Sequence, residues 1–459
     1  MEKLKGEFSV SKRTKRADFF QFKKTRIFVS ELHCRCYHKG DHPFDLRTGA
    51  RSRWIKNNQE ILIRGKGVCR KRVTIIALYI QSIAIFLYYH LIVTDNCNLC
   101  CSYCRAKAFD ERTDDDSVRI EVDSDLPVEP EYDLEELYAF LARDPCPVLT
   151  FYGGEPLLRD DLIRRIMDEA PVKRFMVQTN GLLLDQLEPA YVNRFTTILV
   201  SLDGSEVLTD KHRGAGTHRR VMENLKGILK RGFAGELIAR MTVAEDSDIF
   251  HAVTSLADNP DHPFTSIHWQ LDANFSSDFA CRSFASWVQE SYNPGIHSLV
   301  HHWVRLMETT GRVPRWYPFV DTMDDLLRGN ESLLRCGAGH ANYSIMTDGH
   351  IAPCPVMVGI RSHYVGHIRH TPPQELERIP VEGDCLSCPI RSFCGGRCLY
   401  ANIVQPWNAE ERRLVCGTIK NLHTALTAAV PDVLSLLSSG RIDLQAFSCE
   451  KYNGCEIIP

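Results

Sequence analysis

Between Tyr88 and Leu271 the chain alternates short β-branched or aromatic runs with longer amphipathic stretches, and this alternation restricts the fold more than any other feature. The runs are Tyr88–Thr94, Val148–Tyr152, Arg174–Gln178, Thr197–Leu202, Glu236–Val243 and Ser266–Leu271. Leu134–Arg143, Leu158–Glu169, Gln186–Arg194 and His218–Arg231 carry helix-like periodicity between them. Six β-units at about thirty-residue spacing predict a parallel α/β sheet with crossover helices, wound as an open or closed barrel. Functional groups in such folds stand at the carboxyl ends of the strands. Further on, residues 286–335 read as a helical linker, 336–416 as a segment dense in Cys, Gly and Pro, and 417–459 as a C-terminal helix and tail.

Charge is unevenly spread. Residues 1–72 carry 20 Lys and Arg against 7 Asp and Glu, although the whole chain sums to −3. The basic part is an appendix, and nucleic acid is not the expected partner of the main body. Residues 1–86 therefore read as a basic N-terminal extension, disordered or not native. The lack of any methionine between Met1 and Met167 fits that view.

Val73 to Val93 has the outline of a membrane span, with Arg70-Lys71-Arg72 before it. Its last residues, Tyr88–Thr94, run into a cysteine loop as a buried parallel strand would. One segment cannot both cross a bilayer and supply that strand, so no membrane partner is expected.

Eighteen cysteines lie in a chain that opens on a basic stretch with no apolar run behind it. That argues against a secreted disulfide scaffold and for metal–thiolate chemistry in a reducing, cytoplasmic setting. Just after the first run, Cys97-Asn98-Leu99-Cys100-Cys101-Ser102-Tyr103-Cys104 contains a C-x3-C-x2-C triplet, Cys97, Cys101 and Cys104. Three thiolates in one short loop can each take a different iron of a [4Fe–4S] cube and leave the fourth iron open. A zinc knuckle is the competing reading of the triplet alone.

Further pieces follow in order. Leu149-Thr150-Phe151-Tyr152-Gly153-Gly154-Glu155-Pro156 ends the second run, Gln178-Thr179-Asn180-Gly181 the third, and Ser201-Leu202-Asp203-Gly204 the fourth. Arg240 lies on the fifth. C-terminally, Cys336 and Cys354 precede Cys385-x2-Cys388-x5-Cys394-x3-Cys398, and Cys416 closes the series. Seven thiols make neither one nor two complete four-cysteine zinc sites.

Together these pieces resemble the radical S-adenosylmethionine superfamily with a C-terminal SPASM extension, over residues 87–416. The resemblance implies a partial (β/α)6 TIM-like barrel as radical SAM core at 87–285 and a SPASM domain binding auxiliary clusters at 336–416. It implies a [4Fe–4S] cluster on Cys97, Cys101 and Cys104 whose open iron binds S-adenosylmethionine for cleavage to a 5′-deoxyadenosyl radical. Tyr103 would stack on adenine, and Gly153, Gly154 and Glu155 would meet the amino group. Asn180, Ser201 and Asp203 would lie near the ribose, and Arg240 would pair with the carboxylate. Position by position, Cys385, Cys388, Cys394 and Cys416 would hold one auxiliary cluster, and Cys336, Cys354 and Cys398 three corners of another. Relatives with a full set carry a cysteine where this chain has Asn342. Lys211-His212-Arg213-Gly214 also resembles a family segment, though an exposed basic loop is the simpler account of it.

The resemblance implies a peptide or protein substrate and a low-potential electron donor such as ferredoxin or flavodoxin. Formylglycine formation in sulfatases is an alternative, disfavoured because Pro355 follows Cys354 where that family places an Asp. Cyclisation of a nucleotide toward molybdopterin is another, disfavoured because that family carries a simpler three-cysteine second cluster. A non-catalytic iron–sulfur electron carrier would leave the Gly-Gly-Glu-Pro element and Arg240 without purpose. Asp272, at the end of the sixth run, is the candidate catalytic base.

Overall fold

The computed structural model describes residues 19–22, 25–28, 87–104, 121–272 and 281–453. The chain divides into two compact units, Met1–Ile85 and Phe86–Pro459. In the first, Phe19–Phe22 pairs antiparallel with Thr25–Phe28. The rest of the extension, with Cys34, Cys36 and Cys69 and most of the Val73–Val93 segment, lies outside the described residues.

The second unit is built on one sheet. Its strands are β1 (Tyr88–Thr94), β2 (Val148–Gly153), β3 (Arg174–Thr179), β4 (Phe195–Ser201), β5 (Glu236–Val243), β6 (Ser266–Leu271), β7 (Asn342–Ile345), β8 (His350–Ala352) and β9 (Gly366–His367). The order across the sheet is β9-β8-β7-β1-β2-β3-β4-β5-β6. β1 to β6 run parallel in sequence order, and β7 adds a further parallel strand on the free edge of β1, with Tyr88 opposite Asn342 and Leu91 opposite Ile345. β7, β8 and β9 then pair antiparallel. At the far edge Ile267 bridges to Trp316, and its N–H donates to the Arg315 carbonyl at 2.9 Å. The barrel is thus partial: among the described strands β6 never pairs with β1.

Alternation along the strands sorts the two faces. Tyr89, Leu91, Val93, Leu149, Phe151, Phe175, Val177, Ile198, Val200, Leu237, Met241 and Trp269 join one apolar core with the helices. These helices include α1 (Leu134–Leu141), α2 (Asp160–Glu169), α3 (Glu206–Arg213), α4 (Thr217–Lys230), α5 (Ile249–Ala257), α6 (Asn293–Thr310), α7 (Tyr317–Arg328) and α8 (Ala409–Ser438). The inner face grades along the strands. At their N-terminal ends Tyr88, Val148, Met176, Leu199 and Ile238 form an apolar layer with Tyr317. One or two residues on, the inward positions are His90, Thr150, Ser201, Arg240, His268 and Ser344, so the upper lumen is polar and the lower lumen is not. The tail covers the lower end: Glu450 accepts from Tyr88 and Arg174, Lys451 reaches Asp325 at 3.0 Å, and Asn453 Nδ2 donates to the Tyr317 hydroxyl at 3.0 Å.

Two helices differ from expectation. Gln186–Arg194 contains only one helical turn, Pro189–Val192, because Pro189 lacks an N–H and fits only the first turn of a helix. The terminal helix begins at Ala409, not near 417, and Cys416 lies inside it. Its start is a capping box in which Asn408 accepts from Glu410 and Glu411 N–H while Glu411 accepts from Asn408 N–H. Among the described residues no helix is long and apolar enough to cross a membrane, and Tyr88–Thr94 is a buried strand.

Candidate functional site

The cysteine loop leaves β1 at Thr94 and is held against the end of β2. Gly154 N–H donates to the Thr94 carbonyl and Glu155 N–H to the Asn96 carbonyl, both at 2.8 Å. This approach explains the paired glycines: a Cβ at Gly153 would lie 2.1 Å from the Thr94 oxygen, and one at Gly154 2.3 Å from the Asn96 oxygen. Gly153 also has a φ of 139°, which L-residues rarely adopt. Within the loop Cys97 Sγ accepts from Leu99 N–H at 3.4 Å. Burial pushes the Cys97 and Cys101 thiols up, and Cys104 lies near enough to raise both further. A metal bound here would have to take these sulfurs as thiolates and displace their protons. Cys97, Cys100 and Cys104 are exposed, and Cys101 is half-buried.

Glu155 does not face the site. Its carboxylate is fully buried and accepts from Thr179 Oγ1 and Asn180 N–H at 2.7 Å and from Leu157 N–H at 3.0 Å. It ties the ends of β2 and β3 together, which leaves the backbone around Gly153 and Gly154 as the available acceptors. Asn180 is tied to the cysteine loop, its Nδ2 donating to Asn98 Oδ1 at 2.7 Å and lying 4.0 Å from Cys97 Sγ.

Asp203 is likewise spent on the scaffold. It accepts from Arg213 Nε at 2.8 Å, Arg213 Nη2 at 3.0 Å, the Tyr103 hydroxyl at 2.7 Å and Thr242 N–H at 3.0 Å. Two donors on each oxygen leave no place for a ribose hydroxyl. His212 and Arg213, expected on an exposed loop, are buried at the end of α3. The basic residues were there to read, but their carboxylate partners, Asp203 and Asp246, come together only through the fold. Tyr103 has Arg213 over its ring, with the guanidinium carbon 5.3 Å from the centroid.

Arg240 on β5 is in register with Ser201 of β4 on one side and His268 of β6 on the other. Its Nη2 donates to Gln270 Oε1 at 2.9 Å, while its buried Nε has no partner. A buried guanidinium N–H without an acceptor is costly, and a carboxylate is the group its fork suits. Burial pushes the phenol of half-buried Tyr152 up, Arg240 opposes that shift, and Cys104 and Cys354 are both near enough to add to it. His90 sits 5.2 Å from the Tyr152 ring. Its Nδ1 lies 2.8 Å from Asn342 Oδ1, and Asn342 Nδ2 donates to the carbonyls of Cys336 and Tyr452 at 3.2 and 3.4 Å. With the amide oriented by those carbonyls, Oδ1 accepts, so His90 carries its proton on Nδ1. Asp272 is paired with Arg282, Oδ2 to Nη2 at 3.4 Å, and Arg282 also forks onto Glu245 at 2.6 Å.

The C-terminal thiols fall into two groups. Burial pushes Cys354 far up, and Cys398 and Cys336 are near enough to add to it. Cys385 is raised by burial and then by Cys416 and Cys388, and Cys394, pushed up to about 11, feels Cys416 and Cys385. The loop before Cys336 is anchored by Arg335, which binds Asp321, Asp325 at 2.9 Å and the Phe393 carbonyl at 2.8 Å. Among the described residues no three His, Cys, Asp or Glu converge to hold a metal ion. Cysteines on separate corners of an iron–sulfur cube stand farther apart than the ligands of one ion, and a three-plus-four grouping of cysteines fits two such cubes. Asn342 turns toward His90, and Cys449 lies 3.9 Å from Asp321 Oδ1. Cys455 lies outside the described residues.

Residues 91–246 match the Radical SAM superfamily. The chain is 26% identical over 341 residues, 66% of its length and 80% of the relative's, to an AdoMet-dependent heme synthase of Oleidesulfovibrio alaskensis. It is 34% identical over 126 residues, 27% of its length and 28% of the relative's, to an Fe-coproporphyrin III synthase of Methanosarcina barkeri. Its fold is similar to that of anSMEcpe with bound AdoMet, with a TM-score of 0.58 and 16% identity, over 77% of this chain and 99% of that one. The chain carries a radical SAM domain, and the cysteine loop, the Gly-Gly turn and Arg240 all fall inside it.

Proposed function

We propose that this protein is a radical SAM enzyme with two auxiliary iron–sulfur sites, and that it modifies a residue of a peptide or protein. The observation that carries the reading is Tyr152, inside the lumen within electrostatic reach of Cys104 and Cys354. A substrate seated there would be near a cysteine of the radical site and a cysteine of an auxiliary site. When bound, S-adenosylmethionine and the cluster on Cys97, Cys101 and Cys104 supply a 5′-deoxyadenosyl radical. The protein's own residues then have simple tasks. Arg240 Nε receives the cofactor carboxylate, the backbone at Gly153 and Gly154 accepts from its amino group, and Tyr103 offers a ring to adenine. The groups Cys336, Cys354, Cys398 and Cys385, Cys388, Cys394, Cys416 would hold auxiliary clusters as electron acceptors. Asp272 is not assigned as the proton acceptor, because its carboxylate is paired with Arg282.

The two curated relatives favour a second substrate, an iron porphyrin, since both are named for haem-type products. The peptide reading draws on the likeness to a fold that has also been seen with a bound peptide. One assay separates them. Anaerobically reconstituted protein with S-adenosylmethionine and dithionite should form 5′-deoxyadenosine faster with a peptide encoded beside its gene than without. Stimulation by Fe-coproporphyrin III instead would replace the peptide with a tetrapyrrole.

A further inference from the structure

Only Ser102 and Tyr103 lie between Cys101 and Cys104, and two consecutive residues of α3 hold them. Ser102 N–H donates to the His212 carbonyl at 3.0 Å, and its hydroxyl lies 2.6 Å from His212 Nδ1. Behind His212, Nε2 is 3.1 Å from Asp246 Oδ2, which also takes Lys211 Nζ at 2.5 Å. Tyr103 is held at its hydroxyl by Asp203 and over its ring by Arg213, and Arg213 forks onto the same Asp203. The loop is clamped by two arms, each a base backed by a carboxylate.

The arms differ in charge and burial. Asp246 is part-exposed and shared with an exposed lysine, whereas the Arg213 and Asp203 side chains are 6% and 0% exposed. A fixed charge acts far more strongly in such a setting than at a surface. Arg213 reaches the loop at Tyr103, the residue between Ser102 and Cys104 and two after Cys101, with its guanidinium carbon 5.3 Å from the ring centroid.

This inference rests on the reading that Cys97, Cys101 and Cys104 carry a cluster. We propose that Arg213 is a positioning residue for that cluster: locked by Asp203 against Tyr103, it places a buried positive charge beside Cys101 and raises the potential at which the cluster accepts an electron. Reduction adds one electron, taken from an external donor, and a nearby cation favours the more negative form. His212 supplies the geometric arm.

The test is a dithionite-poised potentiometric titration of the anaerobically reconstituted full-length protein, following the electron paramagnetic resonance signal that changes on adding S-adenosylmethionine. Arg213→Gln should keep its iron and shift that signal's midpoint to lower potential by about tenfold in the reduction equilibrium, roughly 59 mV for one electron. Arg213→Lys keeps the charge without the fork and should recover most of the shift. Lys211→Gln, which removes an exposed cation from the other arm, should stay within about twofold of wild type, and Arg213→Met serves if Arg213→Gln folds poorly. An unmoved midpoint in iron-replete Arg213→Gln overturns the proposal, as does an equal shift in Arg213→Lys and Arg213→Gln. A wild-type protein with no cluster signal responsive to S-adenosylmethionine overturns the underlying reading instead.

Discussion

Arg213 and Asp203 form a bidentate ion pair buried beneath the cysteine loop, with Nε–Oδ2 at 2.8 Å and Nη2–Oδ1 at 3.0 Å. Asp203→Ala would leave the guanidinium buried and unpaired and release Tyr103 and Thr242 as well. Losing one partner of a buried pair costs about 3–5 kcal/mol. Chemical denaturation of the variant should show a loss of that size, and a change under 1 kcal/mol would mean that water or another anion takes over the pair.

Arg240→Ala removes the group with the unpartnered Nε. S-adenosylmethionine binding should weaken by about 1.5–3 kcal/mol, the range for a hydrogen bond to a charged group. Isothermal titration of the cluster-loaded variant measures it, and an unchanged dissociation constant would leave Arg240 only its bond to Gln270.

The six parallel strands could be read in the sequence because their β-branched and aromatic runs are continuous and evenly spaced. β7 could not: four residues, Asn342–Ile345, lie in a Cys- and Gly-rich stretch and earn their place only by pairing with β1, some 250 residues earlier in the chain. The cysteine spacing was legible because three or four thiols on one cluster must recur at short intervals. The roles of Glu155, Asp203, His212 and Arg213 were not, since a charged residue looks alike in sequence whether it meets a cofactor or a partner across the fold. Asn408 and Glu411 did carry the signal for the true start of α8.

His90 should shape the acid limb of stability. Burial lowers its pKa to about 4, against about 6.5 for an exposed imidazole. The unfolded chain therefore binds the proton more readily. The stability from keeping His90 neutral is complete above about pH 6.5 and is lost as the pH falls through that window toward 4, by roughly 3 kcal/mol. Denaturation midpoints of His90→Gln should fall less steeply between pH 6.5 and 4 than those of wild type; equal slopes would assign the acid limb to other groups.

The Asn342 side chain serves His90 and two carbonyls. Asn342→Cys should leave iron content unchanged, because the side chain at this position is directed to His90. It should also lower stability by about 1–3 kcal/mol through unpaired buried groups. Iron analysis and thermal unfolding test both. A gain in iron or a sharper auxiliary-cluster spectrum would show that the position faces the Cys336 group after all.

Three cluster sites predict about twelve iron and twelve sulfide per chain after anaerobic reconstitution. Replacing Cys336, Cys354 and Cys398 together should remove about four of each and leave the signal of the first site. A protein that takes up only zinc, or no more than about four iron, would contradict the two C-terminal groupings.

Reductive cleavage of S-adenosylmethionine tests the central claim most directly. Reconstituted protein given dithionite should release 5′-deoxyadenosine and methionine in equal amounts. Cys97→Ala, Cys101→Ala and Cys104→Ala should release none, while Cys100→Ala should match wild type. Wild-type protein with its full iron and no 5′-deoxyadenosine, or undiminished release from Cys101→Ala, would contradict the account.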